Sequence, residues 1–288
     1  MKKIAVFLCM VLLLCSFPVS SFAKEPENTS RSSDSSLYDE LFSETKDSVK
    51  ILFIGNSYTY YNNFCATFTN LCRSAGKNVY VRQVTKGRHS LFQAANPKDL
   101  EGSRVRHLLT TQKWDYVILQ ERHNFPIKKP KRMSKAIRSL APYIEASGAQ
   151  MILFMNWAPL KGHGDYRRLA SIVPTKAAYE QKLTEVFETF AAENDAVVSP
   201  VGLAFAQSQK KHPGIRLIRR DKSHPTAAGS YLSACVIFQT LFGESPVGLS
   251  YKANLPAKKA NKLQKIAESV MNVHQLPDEV PPETPVEN

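Results

Sequence analysis

The chain has 288 residues, 43% of them hydrophobic and 22% charged, which is ordinary for a globular protein that buries one sizeable core. Its formal net charge of +13 favours anionic partners such as acidic glycans or phospholipid head groups, or else serves solubility alone. Nucleic acid is disfavoured, because the N-terminus has the pattern of an export signal and the chain has no recognisable nucleic-acid-binding motif.

The first 23 residues have the pattern of a secretory signal peptide. Lys2 and Lys3 give a positive start, residues 4–15 form an apolar run, and Ser21-Phe22-Ala23 offers small residues at the two positions that a signal peptidase reads. We therefore predict cleavage near Ala23 and export to the periplasm or the medium. A membrane anchor fits less well because the run is short, and we expect no stable membrane span. A lipoprotein attached through Cys15 also fits less well, because the residue before it is not small.

Removing this segment leaves Cys65, Cys72 and Cys235, and an odd number excludes a fully paired disulfide scaffold. The first two lie in one predicted helix about 10 Å apart, which is too far to bridge. We expect them to be buried as small hydrophobic side chains. No Cys/His cluster has the spacing of a zinc site, so the sequence predicts neither a metal site nor an organic cofactor.

Residues 24–48 are polar and rich in Ser, Glu and Asp, which is typical of a linker. From residue 49 to residue 251, short apolar runs alternate with helical patterns. The predicted strands are 51–54, 79–84, 116–120, 150–155 and 196–198, and the predicted helices are 62–75, 103–112, 132–147, 175–194, 201–211 and 227–242. Because the strands are unbroken apolar runs, we predict an α/β fold with a parallel sheet and helices on both faces. Residues 252–288 combine an amphipathic helix over 261–273 with an acidic, Pro-rich tail.

The first predicted strand ends abruptly at a serine. The apolar run 51–54 stops at Gly55-Asn56-Ser57, and open α/β sheets place their sites at the carboxyl ends of strands. Ser57 is therefore a candidate nucleophile. The alternative is that Asn56 and Ser57 only start a turn or cap a helix.

A second stretch, Arg220-Asp221-Lys222-Ser223-His224-Pro225, precedes the last predicted core helix. Asp221 and His224 are three residues apart, so in a turn the carboxylate can reach one ring nitrogen and leave the other as a general base. The alternative is an exposed polar loop. A serine after the first strand and an Asp/His pair before the last helix can meet at one edge of the sheet, as acyl transfer requires.

These two stretches resemble motifs of a known family. Gly55-Asn56-Ser57-Tyr58-Thr59 resembles the first block of the SGNH, or GDSL-like, hydrolases, with Asn56 where Asp is usual, and residues 221–225 match their last block. The resemblance covers residues 49–251 and is to a bacterial branch with a Gly-Asn-Ser first block and no well-established substrate. It implies the flavodoxin-like SGNH hydrolase fold, a three-layer α/β/α sandwich with a five-stranded parallel sheet. It also implies Ser57 as nucleophile, His224 as base and Asp221 as the residue that orients His224.

The resemblance further implies an oxyanion hole made of the Ser57 N–H, the N–H of a glycine after the second strand and a side-chain amide. Gly87 stands at the glycine's place, and an ordinary turn glycine is the alternative. The family's Gly-x-Asn-Asp block is absent, and Arg122 takes the simplest aligned place of its Asn. Either Gln120 or Asn124 could supply the amide, and we favour Gln120 because it is nearest to the end of the third strand.

Together the motifs predict an exported serine ester hydrolase of the acetylesterase type, which removes short acyl groups from a glycan or related ester. We expect an acylated glycan or another small ester, which can be anionic, as its partner. One alternative is a lipid-directed acyl hydrolase of the lysophospholipase type, which the basic surface would suit. The other is a non-catalytic glycan- or envelope-binding module that retains the fold, which the altered third block would suit.

Overall fold

A parallel sheet of five strands lies at the centre of the residues that the computed structural model describes, which run from 48 to 274 with side chains to 271. The strands are β1 Val49–Gly55, β2 Val79–Thr85, β3 Tyr116–Leu119, β4 Gln150–Phe154 and β5 Val197–Ser199. Their order is β2-β1-β3-β4-β5, and every neighbouring pair is parallel. The carboxyl end of β1 therefore lies between those of β2 and β3.

Alternate side chains of β1 enter two separate hydrophobic cores. Ile51 and Phe53 pack into the core on one face of the sheet, and Leu52 and Ile54 pack into the core on the other. All four side chains are fully buried. A strand covered on both faces needs apolar residues at every position, which explains the unbroken run in the sequence.

Helices cover both faces of the sheet. On the face of Ile51 lie α2 Phe64–Ser74, α9 Val201–Lys211, α10 Ala227–Phe242 and α11 Ala257–His274. On the face of Leu52 lie α3 Leu91–Ala94, α4 Leu100–Thr111, α6 Pro130–Ser147 and α8 Lys176–Glu193. The short helices α1 Ser57–Tyr60, α5 Phe125–Lys128 and α7 Asp165–Arg168 follow β1, β3 and β4, and a 3-10 turn, Tyr61–Asn63, joins α1 to α2. The predicted three-layer α/β/α sandwich is confirmed.

The predicted strands and long helices are found within a few residues of their expected bounds. The sequence pattern missed α1, α3, α5 and α7, because a single helical turn is too short to show a 3.6-residue period. The helix expected from residue 103 begins at Leu100. Its start is earlier because the Asp99 side chain accepts hydrogen bonds from the N–H groups of Glu101 and Gly102.

The C-terminal helix α11 is longer than predicted and packs into the core on the face of Ile51. Its buried side chains are Ala260, Leu263, Ile266, Ala267, Val270 and Met271. The segment expected to follow the hydrolase-like domain thus contributes a helix to the domain core. Cys65 and Cys72 are buried, as expected, and Cys235 is buried as well; all three are free thiols.

Three predicted segments lie wholly or mostly outside the described residues: the signal peptide at 1–23, the linker at 24–48 and the tail beyond 274. From residue 48 to residue 274, no helix is both long and apolar enough to cross a membrane.

Candidate active site

Ser57 follows a turn that only glycine can enter. A Cβ atom on Gly55 would lie 2.4 Å from Thr59 Oγ1 and 2.8 Å from Gln120 Oε1, so both side chains occupy the space that any larger residue would need. The next residue, Asn56, caps α1: its side-chain oxygen accepts from the Tyr58 N–H, and its own N–H donates to Thr59 Oγ1 at 3.1 Å. Ser57 is thereby held at the first position of the helix.

Asn56 also ties this turn to the two neighbouring strands. Its N–H donates to Gln120 Oε1 (3.0 Å), just beyond β3, and its side-chain amide donates to the carbonyl of His89 (3.1 Å), beyond β2. Asn56 is only 3% exposed, so these bonds are shielded from water. Asn56, at the position where the family usually has Asp, thus both caps α1 and links the segments that follow β2 and β3.

A serine, a histidine and an aspartate lie in hydrogen-bonding order at this edge. Ser57 Oγ is 2.9 Å from His224 Nε2, and His224 Nδ1 is 2.9 Å from Asp221 Oδ2. The other Asp221 oxygen accepts from the N–H groups of Ser223 and His224, each at 3.0 Å. Burial alone would raise the pKa of Asp221, but these backbone bonds and the imidazole outweigh it and lower the pKa. An ionised Asp221 keeps the proton on Nδ1, so Nε2 faces the serine as an acceptor.

The loop that carries Asp221 and His224 is closed on itself. The Arg219 N–H donates to the His224 carbonyl at 2.8 Å, and Ile218 pairs with Pro225 in an antiparallel bridge. At the tip of the loop, Lys222 takes a left-handed backbone conformation with φ of 68°. The loop therefore fixes the distance between Asp221 and His224 through backbone bonds.

Aromatic rings hold the histidine loop against the serine helix. Tyr61 stacks on the His224 ring, with centroids 4.5 Å apart and planes at 14°. Tyr58 stacks on Trp157 at 4.2 Å, and its hydroxyl is 2.7 Å from Ser223 Oγ. Trp157 donates from Nε1 to the Ser223 carbonyl and is 1% exposed, so it packs in the interior behind Tyr58. Burial raises the pKa of Tyr58, which keeps its hydroxyl neutral.

No protein-family model and no curated protein matches the sequence. A DUF4886 family protein from Bacteroides uniformis superposes with a TM-score of 0.66 and 16% identity, covering 81% of this chain and 98% of its own. The crystal structure of TesA superposes with a TM-score of 0.50 and 16% identity, covering 67% of this chain and 98% of its own. At 16% identity, the similarity of these two structures to this chain shows a shared fold and nothing further.

A candidate SGNH hydrolase from Slackia heliotrinireducens is 26% identical, with a TM-score of 0.60, over 68% of this chain and 100% of its own. The chain belongs to the SGNH/GDSL-like hydrolase superfamily. The predicted fold and family are thus confirmed, and the departures of this SGNH chain from the family pattern can be located in its structure.

The two predicted backbone donors of the oxyanion hole belong to α1 and to the turn beside it. Ser57 is the first residue of α1, and its N–H has no acceptor among the described residues, as is usual in the first helical turn. Gly87 is exposed in the turn closed by the His89 N–H and the Lys86 carbonyl. A Cβ atom at Gly87 would lie 3.1 Å from the Tyr60 hydroxyl, so this turn lies alongside α1.

The predicted amide donors have other partners. Gln120 is fully buried; its Oε1 accepts from Asn56, and its amide nitrogen donates to the Glu121 carbonyl and to Asn156 Oδ1. Asn124 is 6% exposed, and its amide nitrogen donates to Asp165 Oδ1 at 3.0 Å. Gln120 therefore lies beneath the serine turn as a support, and Asn124 belongs to a neighbouring cluster.

Glu121 is buried and forms no ion pair within residues 48–271. Its Oε1 accepts from the N–H groups of Leu91 and Arg122, and its Oε2 has no partner among the described residues. Burial raises the pKa of Glu121 to about 7, although the two backbone bonds oppose the shift. Glu121 thus fastens the start of α3 to the end of β3.

A basic cleft opens beside the histidine loop. Its cavity of about 360 Å³ is lined by Arg216, Arg219, Arg220, Asp221 and Thr226. The Arg219 guanidinium lies 5.4 Å from the ring centroid of Tyr61, which itself stacks on His224. Within residues 48–274, none of the three guanidiniums forms an ion pair with a carboxylate. Their charge is therefore available to an anionic group that enters this cleft.

Sequence reasoning missed two supports of this SGNH site. Tyr61 and Asn62 occupy the turn after α1, where Asn62 donates to the Pro225 carbonyl (3.1 Å) and to Ser230 Oγ (2.8 Å). The polar and aromatic residues that follow Ser57 were the only sign of this support in the sequence. Their contact with the histidine loop, some 160 residues later in the chain, is seen only in the folded structure.

Proposed function

We propose that the protein is an exported serine ester hydrolase that removes short acyl groups, such as acetyl, from a glycan or related ester. The observation that carries this proposal is the chain of two hydrogen bonds from Ser57 through His224 to Asp221, each 2.9 Å long. Superfamily membership supports the same chemistry. An ester needs a nucleophile, a base that takes its proton and a carboxylate that orients the base, and these three residues supply that set.

In the acylation step, Ser57 Oγ attacks the carbonyl carbon of the ester while His224 Nε2 takes the hydroxyl proton. Asp221 stabilises the imidazolium that forms, because its ionised carboxylate accepts a hydrogen bond from the Nδ1–H group, which keeps its proton. The tetrahedral intermediate then collapses, and His224 returns the proton to the leaving alkoxide oxygen. The products of this step are the alcohol and an acyl-serine at position 57.

In the deacylation step, water enters the place of the alcohol and attacks the acyl-serine carbonyl. His224 takes the proton from that water and gives it to Ser57 Oγ as the acyl group leaves as a carboxylic acid. Both steps place a negative charge on the carbonyl oxygen. We assign its stabilisation to the N–H groups of Ser57 and Gly87, and loss of one such donor typically costs on the order of 100-fold in rate.

The basic cleft supports an ester with an anionic group near the scissile bond. Three arginines surround the cavity next to Asp221. An acidic glycan that carries a short acyl ester has such an anionic group. A phospholipid-like ester also has one but carries a long acyl chain, so a lipid-directed acyl hydrolase is the second candidate.

An ester panel tests the proposal. The protein without residues 1–23 is assayed with p-nitrophenyl esters from acetyl to palmitoyl, beside Ser57→Ala and the matched surface variant Ser139→Ala. We expect turnover to be highest for acetyl or propionyl and abolished only in Ser57→Ala. Faster cleavage of long-chain esters would move the assignment to the lipid candidate.

The enzyme proposal fails if the wild type cleaves no ester and a phosphonate probe leaves Ser57 unlabelled. Ligand binding that persists in Ser57→Ala would then favour the glycan- or envelope-binding alternative. Export is tested separately, by sequencing the N-terminus of the protein recovered from a host periplasm. An N-terminus at Lys24 is the expected result.

A further inference from the structure

We propose that His123, His163 and Asp165 form a binding site for a divalent transition-metal ion such as Zn²⁺, beside the candidate active site. Their three ligand atoms all lie within 4.8 Å of one another. Asp165 Oδ2 is 2.9 Å from His123 Nε2 and 3.5 Å from His163 Nδ1. In a tetrahedral zinc site with bonds of about 2.0–2.1 Å, ligand atoms lie about 3.3 Å apart, so both distances suit a shared ion.

Hydrogen bonds orient the carboxylate of Asp165 so that one oxygen, Oδ2, faces both histidines. Its other oxygen, Oδ1, accepts from Arg168 Nη2 at 2.7 Å and from Asn124 Nδ2 at 3.0 Å. Asp165 is fully buried, so these bonds fix its orientation. Metal-binding carboxylates are typically positioned by such outer hydrogen bonds, because they fix the ligand before the ion arrives.

The two histidines are accessible and suitably arranged. Their side chains are 20% and 15% exposed, so an ion can reach the cluster from solvent. The rings are perpendicular, with centroids 5.5 Å apart, and therefore do not block each other. His163 Nδ1 accepts a hydrogen bond of 3.2 Å from the Asp165 N–H, so an ion bound to this nitrogen takes the place of that hydrogen bond. At His123, the ion replaces the proton shared with Asp165.

A buried polar atom in the same cluster lacks a partner. The side-chain oxygen of Asn124 is buried and accepts no hydrogen bond from the described residues, although the same amide group donates to Asp165. A buried acceptor without a donor costs about 1–3 kcal/mol. An ion that carries a water molecule would bring a donor to this oxygen. This observation is independent of the distances among the three ligands.

The ion would clamp the long loop after β4 to the edge of the active site. The same loop donates from the Leu160 N–H to the Lys222 carbonyl (3.0 Å), and the Gly162 carbonyl accepts from Lys222 Nζ (3.1 Å). On the other side of the cluster, the ring of His123 lies 6.3 Å from that of Tyr58. We therefore assign the ion a structural role in fixing this loop beside the histidine loop.

Metal binding is measured on untagged protein that has been treated with a chelator and dialysed. Titration calorimetry with Zn²⁺, Co²⁺ absorption spectra and thermal denaturation are each recorded without any ester. We expect one ion per chain, a rise in melting temperature, and affinity at least tenfold weaker in His163→Ala and in His123→Gln. Circular dichroism tests whether each variant is folded. If His163→Ala does not fold, His123→Gln carries the test.

Two control variants separate this site from other histidines. His212→Ala removes a histidine at the end of α9, and His224→Ala removes the other histidine paired with an aspartate in the active site; both should retain full affinity. Absence of saturable binding, or equal affinity in all four variants, overturns the proposal. Because the titration needs no substrate, its outcome is independent of whether the protein cleaves esters.

Discussion

The ring of Tyr61 lies flat against the ring of His224, with centroids 4.5 Å apart and planes at 14°. Tyr61 belongs to the turn that follows the serine helix, so this contact links the proposed base to the proposed nucleophile without passing through the hydrogen bond between them. The stack restricts rotation of the imidazole about its side-chain bonds. It therefore helps to keep Nε2 directed at Ser57 Oγ.

Replacing Tyr61 with alanine should lower kcat about tenfold, because a freely rotating His224 spends less time in the productive orientation. KM should change little, since the stack acts on the base. Tyr61→Phe keeps the ring and is the control; it should retain wild-type activity. Steady-state kinetics with a short-chain ester make the measurement, and equal losses in both variants would contradict a stacking role.

Gly55→Ala should destabilise the fold by about 1–3 kcal/mol, because its Cβ atom would lie 2.4 Å from Thr59 Oγ1 and 2.8 Å from Gln120 Oε1. Gly214→Ala is the matched control, since nothing lies within 4 Å of the added carbon there. Urea unfolding of the two variants makes the comparison. A Gly55→Ala protein as stable as the control would show that the serine turn can relax.

Gln120→Ala distinguishes a support from an oxyanion donor. We expect a loss of about 1–3 kcal/mol in unfolding free energy, because the buried Asn56 N–H and Asn156 Oδ1 lose a partner. The remaining activity should keep the wild-type ratio of rates for esters with good and poor leaving groups. A 100-fold fall in kcat with unchanged stability would instead identify Gln120 as the missing donor.

Glu121 should make stability depend on pH. Its folded-state pKa is raised by burial to about 7 from 4.5, so the folded protein binds more protons than the unfolded chain between these values. Its contribution is fully present below about pH 4.5 and is lost as the pH rises through 7. Glu121→Gln stays neutral, so between pH 5 and pH 8 it should gain on the order of 3 kcal/mol relative to wild type. Urea unfolding of both proteins at pH 5 and pH 8 makes the measurement. The same difference in unfolding free energy between variant and wild type at the two pH values would contradict this expectation.

The basic cleft should select for negative charge. The double variant Arg216→Gln, Arg220→Gln leaves the contact of Arg219 with Tyr61 in place. We expect KM for an anionic acetyl ester to rise about tenfold at low salt, with no change for a neutral acetyl ester. Lys131→Gln with Lys135→Gln removes two charges from α6 and is the control. Equal effects on both esters would show that the cleft does not contact substrate.

The sequence predicted the sheet and its long helices because their signals are local. An unbroken apolar run such as that of β1 is dictated by burial on both faces, and α9 and α10 follow the helical period. Single-turn helices such as α1 and α3 gave no such signal. At the site, Ser57 and the Asp221–His224 pair were predicted from strand-end and turn patterns. Export of the protein through the signal peptide at residues 1–23 stays a prediction.

By itself, the sequence determined the three-layer α/β/α class and the residue types at the end of β1 and in the histidine loop. Only the tertiary structure decided which side chains face one another. It brought Ser57 to 2.9 Å from His224, turned the amide of Gln120 into the interior, and placed His123 beside His163 and Asp165. Local patterns report the burial and backbone conformation of neighbouring residues. Contacts between distant segments depend on how strands and helices pack, and no short stretch of sequence encodes that packing.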